Sequence, residues 1–387
     1  MKPIPYGRQQ IGEADIDAVV RVLRSDFLTQ GPAIEQFEKA VAQYCGAKYA
    51  VAVSSATAAL HIGCAAFDVG PGDRVWTVPN SFVASANCAL YQGATVDFLD
   101  IDPVTYNMSV RVLTKKLEFA SKAKMLPKLV IPVHHSGQSC EMDKIRELSE
   151  NYGFKVMEDA SHAVGGSYQG VKIGSCKYSD LCVFSFHPVK IITTGEGGMV
   201  LTNDEKLFQK LIRLRSHGIT RDTSFMTKPS EGPWYYQQVD LGWNYRMTDI
   251  HAALGHSQLA RIDEFVQKRH AIADFYDREL QGLPLSTPKR SESSRSALHL
   301  YVVRLEMDRI SKSKKKIFEE LHALGIMVNL HYIPIHLQPY YEKLGFEEGQ
   351  YPESEKYYEE AVTLPLHPGM SLDDQKRVVS SLKEVLS

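Results

Sequence analysis

The stretch FSFHPVKIITTGEGG (184–198) sets a single lysine, Lys190, between an apolar run and a glycine-rich turn. A buried ammonium is costly unless it is paired or gives up its proton. A desolvated lysine amine is a good nucleophile for a carbonyl, the requirement for a Schiff base. Taken alone, Lys190 reads as an ordinary surface lysine; Ser185 and His187 before it and TTGEGG after it lower that reading. The glycines follow the lysine, so this is not the phosphate loop of a nucleotide hydrolase, in which they precede it. A second stretch, VSSATAAL (53–60), leads from a strand pattern into a helix pattern through small hydroxyl residues. Such a junction offers free N–H groups and hydroxyls to a phosphate, or is an ordinary cap made by Ser55 or Thr57. In a third, VMEDASHAVGG (156–166), an acidic pair ends an apolar run. These carboxylates can bind a metal, cap the next helix or hold a cationic ring nitrogen. Asp159 beside a pyridinium keeps that nitrogen protonated, at about 1.4 kcal/mol per unit of pKa shift. His162 can hydrogen-bond a nearby hydroxyl. Phosphate cradle, ring-nitrogen partner and Schiff-base lysine are together the three handles of pyridoxal phosphate.

These stretches have to be brought together by the elements around them. From about 48 to 202, β-rich runs alternate with helical patterns: YAVAV (49–53), RVWTV (74–78), TVDFL (95–99), KLVIPV (128–133), FKVME (154–158), LCVFSF (181–186) and GMVLT (198–202). Continuous apolar strands alternating with helices predict a largely parallel sheet covered on both faces. Ligands of such sheets gather at the carboxyl ends of the strands. That rule selects Ser54–Thr57, Asn80–Phe82, Glu158–His162 and Ser185–Lys190. Beyond 202 come a helix near 204–216, a polar, aromatic-rich loop at 224–238 and one long helical stretch from Thr248 to Leu280. The Ser/Pro-rich segment 284–297 reads as a linker. After it, LHLYVVRLE, SKKKIFEELHALG and IMVNLHYIP predict strand, helix and strand in a small α+β unit. The expected domains are therefore 1–283 and 284–387.

The composition is that of a globular chain: 387 residues, 44% apolar and 23% charged, with 44 Lys and Arg against 46 Asp and Glu. The balance gives no basic excess for nucleic acid. The six cysteines are scattered without a CxxC pair, which fits reduced thiols better than a disulfide framework. The opening MKPIPYGRQQIGE does not read as a signal peptide, and residues 49–67 are too mixed for a membrane span. A cytoplasmic protein is expected. His134-His135, His331 and His336 lack a Cys or carboxylate cluster at ligand spacing, so no metal is expected.

The stretches SSATAAL, GPGDRVW, EDASHAVGGSYQG, FSFHPVKIITTGEGG, RSHGI, LGWNYRMTDIHAALG and HYIPIHLQPYY resemble the DegT/DnrJ/EryC1/StrS sugar aminotransferases over nearly the whole chain. The resemblance implies the α/β fold-type I architecture of pyridoxal-phosphate transferases, with a small C-terminal domain. It makes Lys190 the residue covalently bound to pyridoxal phosphate and Asp159 the partner of the ring nitrogen. His162 would sit near the ring hydroxyl, Phe82 on the ring, and Ala56, Thr57 and Ser185 at the phosphate. Asn244 would reach the phosphate from the other subunit of a homodimer with shared sites. Many relatives have glycine where this chain has Ala56, a change that preserves a backbone N–H contact. Tyr6, Thr29, Arg246, His331, Tyr332 and His336 would border a nucleotide-sugar pocket. The implied reaction is ping-pong transamination, with pyridoxamine phosphate between its halves. Glutamate leaves as 2-oxoglutarate, and the amino group passes to carbon 4 of a UDP-linked 4-keto-6-deoxy-N-acetylhexosamine. That product lies on the route to pseudaminic acid, used in surface polysaccharide or flagellin glycosylation. The alternatives are a dTDP- or GDP-linked 4-keto sugar, a pyridoxal phosphate lyase or decarboxylase, or a cofactor-binding regulator without catalysis. Dehydratases of the family carry histidine in place of the lysine, and Lys190 argues against that activity.

Overall fold

In the computed structural model, which describes residues 2–387, the central element is a seven-stranded sheet. Its strands lie in the order Tyr49–Val53, Gly198–Thr202, Leu181–Ser185, Lys155–Asp159, Leu129–Val130, Arg74–Thr77 and Thr95–Phe98. All neighbours are parallel except Gly198–Thr202, which runs antiparallel to both strands beside it. The KLVIPV run forms a strand only at Leu129–Val130. Pro132 has no N–H to give the ladder, and pairing resumes at an isolated bridge between Val133 and Asp159.

The strands are largely apolar because both faces are covered. Successive side chains point to opposite faces. Val51, Val53, Val183 and Val200 pack with Leu60 and Ile62 of helix Ala56–Ala66 and with Leu211 and Leu214. Ala50, Ala52, Phe184, Met199 and Leu201 pack on the other side with Phe37, Val41 and Phe265. One register feature places the site. Gly198 pairs with Val53 on one side and Ser185 on the other, so the antiparallel strand begins where its two neighbours end. A side chain at Gly198 would put its Cβ 2.5 Å from the carbonyl carbon of Ser55 and 2.6 Å from the nitrogen of Ala56. At Gly197 it would meet Thr194 and, at 2.6 Å, Met247. The glycines after Lys190 thus serve close approach by the protein's own backbone and side chains.

One expectation needs correction. The stretch Thr248–Leu280 is two helices, Asp249–Leu259 and Ile262–Glu279. No glycine or proline marks the break at Ala260-Arg261, so apolar periodicity runs through it. One hydrophobic cluster draws residues from both sides of position 283/284. The small unit is built on an antiparallel sheet of Leu285–Ser286, Tyr301–Leu305 and Ala361–Leu364. Its core takes in Ile4 and, from helix Ile262–Glu279, Ile272, Ala273 and Tyr276. Strand Ile4–Pro5 pairs in parallel with Ile326–Met327. The expected linker carries two short strands, Leu285–Ser286 and Ser294–Arg295, the second paired to Ser167–Tyr168. The expected strand IMVNLHYIP is regular only at Ile326–Met327; its continuation, 329–332, enters the site. Among the described residues no helix is long and apolar enough to cross a membrane.

Candidate active site

A cavity of about 500 Å³ opens at the carboxyl ends of the sheet strands, between the sheet and residues 329–332 of the small unit. Ala56 and Thr57 line it from the start of helix Ala56–Ala66, Phe82 from the loop after Arg74–Thr77, and Asp159 and His162 from the end of Lys155–Asp159. Ser185 and Lys190 line it from beyond Leu181–Ser185, and Tyr6, His331 and Tyr332 from the other side. These ten predicted residues share one cavity although they span 6 to 332 in sequence.

At the helix start, Ser55 is the N-cap and its Oγ accepts from the Ala58 N–H at 3.1 Å. Ala56 and Thr57 begin the helix, where N–H groups have no intrahelical acceptor and attract an anion. Capping and a phosphate cradle therefore coexist in this turn.

The acidic pair divides its work because adjacent strand residues face opposite sides. Glu158 turns from the cavity, to His134 Nε2 at 2.6 Å and to Ser179. Asp159 turns into it, buried, accepting from Ser85 Oγ at 2.6 Å and from the Ser161 N–H at 3.2 Å. Lys190 is half-buried. Loss of solvent pulls its amine down to about 8, against the opposing attraction of Asp159.

Three of the surrounding imidazoles are held low by burial. His162 is held well below its usual range by burial and then by the charge of Lys190. The same two causes, in the same order, lower His299, and pull His331 to about 3. His162 Nε2 lies 3.0 Å from the Tyr332 hydroxyl, which burial keeps protonated, and its Nδ1 is buried without a partner. Phe82 is exposed, with its ring centroid 6.2 Å from that of Tyr332.

Four predicted residues stand outside this cavity. Asn244 is exposed, and its backbone bridges to Ser216. Arg246 bridges to Val53 and Thr29 to Thr248, both through the backbone. His336 is fully buried, with Nε2 bonded to Glu355 at 2.8 Å; its ring is packed into the fold and does not reach this pocket. The cavity also contains residues not singled out in sequence, among them Ser85, Glu196, His299 and Asn329. Ser81 also lines it and lies within the strand-end stretch Asn80–Phe82. Ser85 and His299 lack such a signal: the first stands in a helix of small residues, and the second begins an apolar strand run.

The family model for the DegT/DnrJ/EryC1/StrS aminotransferases matches residues 9–383. This chain belongs to that family. It is 39% identical over 386 residues to the spore coat polysaccharide biosynthesis protein SpsC of Bacillus subtilis, covering 99% of this chain and 97% of that protein. It is 37% identical over 389 residues to the UDP-4-amino-4,6-dideoxy-N-acetyl-beta-L-altrosamine transaminase of Campylobacter jejuni, covering 99% and 97%. The structure of Helicobacter pylori PseC, an aminotransferase involved in the biosynthesis of pseudoaminic acid, superposes with a TM-score of 0.90 at 31% identity, over 100% of this chain and 99% of that one. The protein is thus a pyridoxal-phosphate-dependent sugar aminotransferase of fold-type I. The regulator without catalysis is set aside.

The cavity fits that cofactor on its own features. It brings together an anion-receptive helix start, a buried carboxylate, a weakly basic amine and an unpartnered buried imidazole nitrogen.

Proposed function

We propose that the chain moves an amino group from glutamate to carbon 4 of a UDP-linked 4-keto-6-deoxy-N-acetylhexosamine, on a route to pseudaminic acid. The observation that carries the chemistry is the weakly basic amine of Lys190 in the same cavity as Asp159. Bound pyridoxal phosphate supplies the electron sink for proton removal at the amine-bearing carbon. Ala56 and Thr57 would hold its phosphate through backbone N–H groups, with the Ser185 hydroxyl. Asp159 would hold the ring nitrogen as a cation. His162 would offer its unpartnered Nδ1 to the ring hydroxyl, and Phe82 would cover a ring face.

Lys190 would be the covalent attachment point of the cofactor, and its Nζ would hold or release the proton during turnover. An amine titrating near 8 is suited to both directions, because near neutral pH it is populated as acid and as base. Tyr6, His331 and Tyr332 border the sugar side of the cavity. Asn244 acts in the partner's site of a homodimer; its exposure and its place outside its own cavity support this assignment. Thr29 and Arg246 belong to the same shared rim, which the exposed Phe27, Leu28 and Leu241 supply with apolar surface.

The altrosamine transaminase and PseC likenesses favour the UDP sugar. The likeness to a GDP-perosamine synthase, 37% identical over 358 residues, favours a second reading, in which a different 4-keto nucleotide sugar is used. Incubation with pyridoxal phosphate, glutamate and a panel of UDP-, dTDP- and GDP-linked 4-keto sugars separates them. Equal yields of 2-oxoglutarate and of the 4-amino sugar from the UDP-linked N-acetylhexosamine are expected. Turnover only with dTDP or GDP sugars would remove the assignment and leave the second reading.

A further inference from the structure

Asp159 is held by a chain of hydroxyls whose direction can be worked out. Ser85 Oγ lies 2.6 Å from Asp159 Oδ2, and Ser81 Oγ lies 2.8 Å from Ser85 Oγ. All three side chains are buried and border the cavity. An ionised carboxylate only accepts, and a serine hydroxyl has a single proton. Ser85 must spend that proton on Asp159, so Ser81 donates to Ser85. The other carboxylate oxygen, Oδ1, accepts from the Ser161 N–H at 3.2 Å. Each oxygen thus has one protein donor and keeps further lone-pair capacity.

We propose that Ser85, backed by Ser81, is a positioning residue that keeps the proton shared by Asp159 and the cofactor on the ring nitrogen. This rests on the reading of Asp159 as the ring-nitrogen partner. A carboxylate and a pyridine nitrogen sharing a proton have two forms: nitrogen protonated with an anionic carboxylate, or both neutral. Hydrogen bonds donated to the carboxylate stabilise the first form more than the second. A donor already polarised by a second hydroxyl does so more strongly. Without them Asp159 becomes the better base, the proton moves toward oxygen, and the ring is a weaker electron sink.

A hydrogen bond to a charged group, converted through the free energy of one pKa unit, corresponds to about a 10- to 100-fold change in the ratio of the two forms. The test is 15N NMR of the holoenzyme reconstituted with ring-15N pyridoxal phosphate, which reads the nitrogen's protonation without any turnover. In the wild type a protonated-pyridine resonance is expected, lost in Asp159→Asn. Ser85→Ala should shift the resonance toward that of neutral pyridine, Ser81→Ala should shift it less, and Ser85→Thr should retain the wild-type position. A wild-type resonance already neutral, or one unmoved by Asp159→Asn, would overturn the reading of Asp159 and this inference with it. A resonance lost in Asp159→Asn but unmoved in Ser85→Ala, with cofactor still bound, would overturn the role of Ser85 alone. An equal effect of any small substitution, Ser85→Thr included, would mark a packing role and also refute it.

Discussion

The acidity of Lys190 gives the sharpest pH prediction. At about pH 7.5, a lysine titrating at its ordinary value near 10.4 is neutral in about 0.1% of molecules. With its amine pulled down to about 8, Lys190 is neutral in about a quarter of them, a gain of roughly 200-fold in reactive base. Burial is the larger cause, and the negative charge of Asp159 acts against it. The rate of covalent capture of pyridoxal phosphate by apo-enzyme should therefore rise with pH and level off above a midpoint near 8. The perturbation that separates the two causes is Asp159→Asn. Removing the anion removes what favours the ammonium, so the midpoint should move below that of the wild type. The assay is stopped-flow absorbance of cofactor mixed with apo-enzyme across a pH series, with Lys190→Ala as the blank that shows no covalent phase. A wild-type midpoint near the ordinary lysine value, or an upward movement in Asp159→Asn, would refute the reasoning.

Two structural predictions concern how the site is held. Gly198→Ala drives a Cβ to 2.5 Å from the Ser55 carbonyl; about 1–3 kcal/mol of overpacking at this turn should weaken cofactor binding by about fivefold or more, measured by absorbance titration of the apo-enzyme. Unchanged affinity would show that the 55–57 turn does not carry the phosphate. Arg269 is buried and its Nη1 donates to the carbonyls of Leu298, His299 and Leu366, at 3.3, 3.2 and 2.9 Å. Arg269→Ala leaves these acceptors without that donor and opens a cavity, so a loss of about 2–4 kcal/mol is expected in urea unfolding. A change below about 0.5 kcal/mol, the level of an ordinary surface substitution, would contradict it.

The parts of the site that could be read in sequence are those that end strands. Lys190, Asp159 and His162 follow continuous apolar runs, and in a sheet covered on both faces the chain has to emerge at its end. Asp159 is preferred over Glu158 in the sequence, and the structure gives the physical reason: a one-residue step turns Asp159 into the cavity and Glu158 to His134. Ser85 and His299 were illegible. Their roles come from contacts across long sequence distances, such as Ser85 to Asp159, while locally they look like helix filler and the start of a strand. His336, a histidine in an aromatic run, lies outside the cavity, held in the interior by Glu355. The paired helices 249–259 and 262–279 merged in sequence because their break lacks a glycine or proline.

The account depends most directly on Lys190 as the residue that binds the cofactor. Borohydride reduction of the holoenzyme followed by peptide mass mapping tests it in one step. The account predicts a single pyridoxyl adduct, on the peptide containing Lys190, absent from Lys190→Ala. A stable adduct on any other lysine, with Lys190 unmodified, would contradict it.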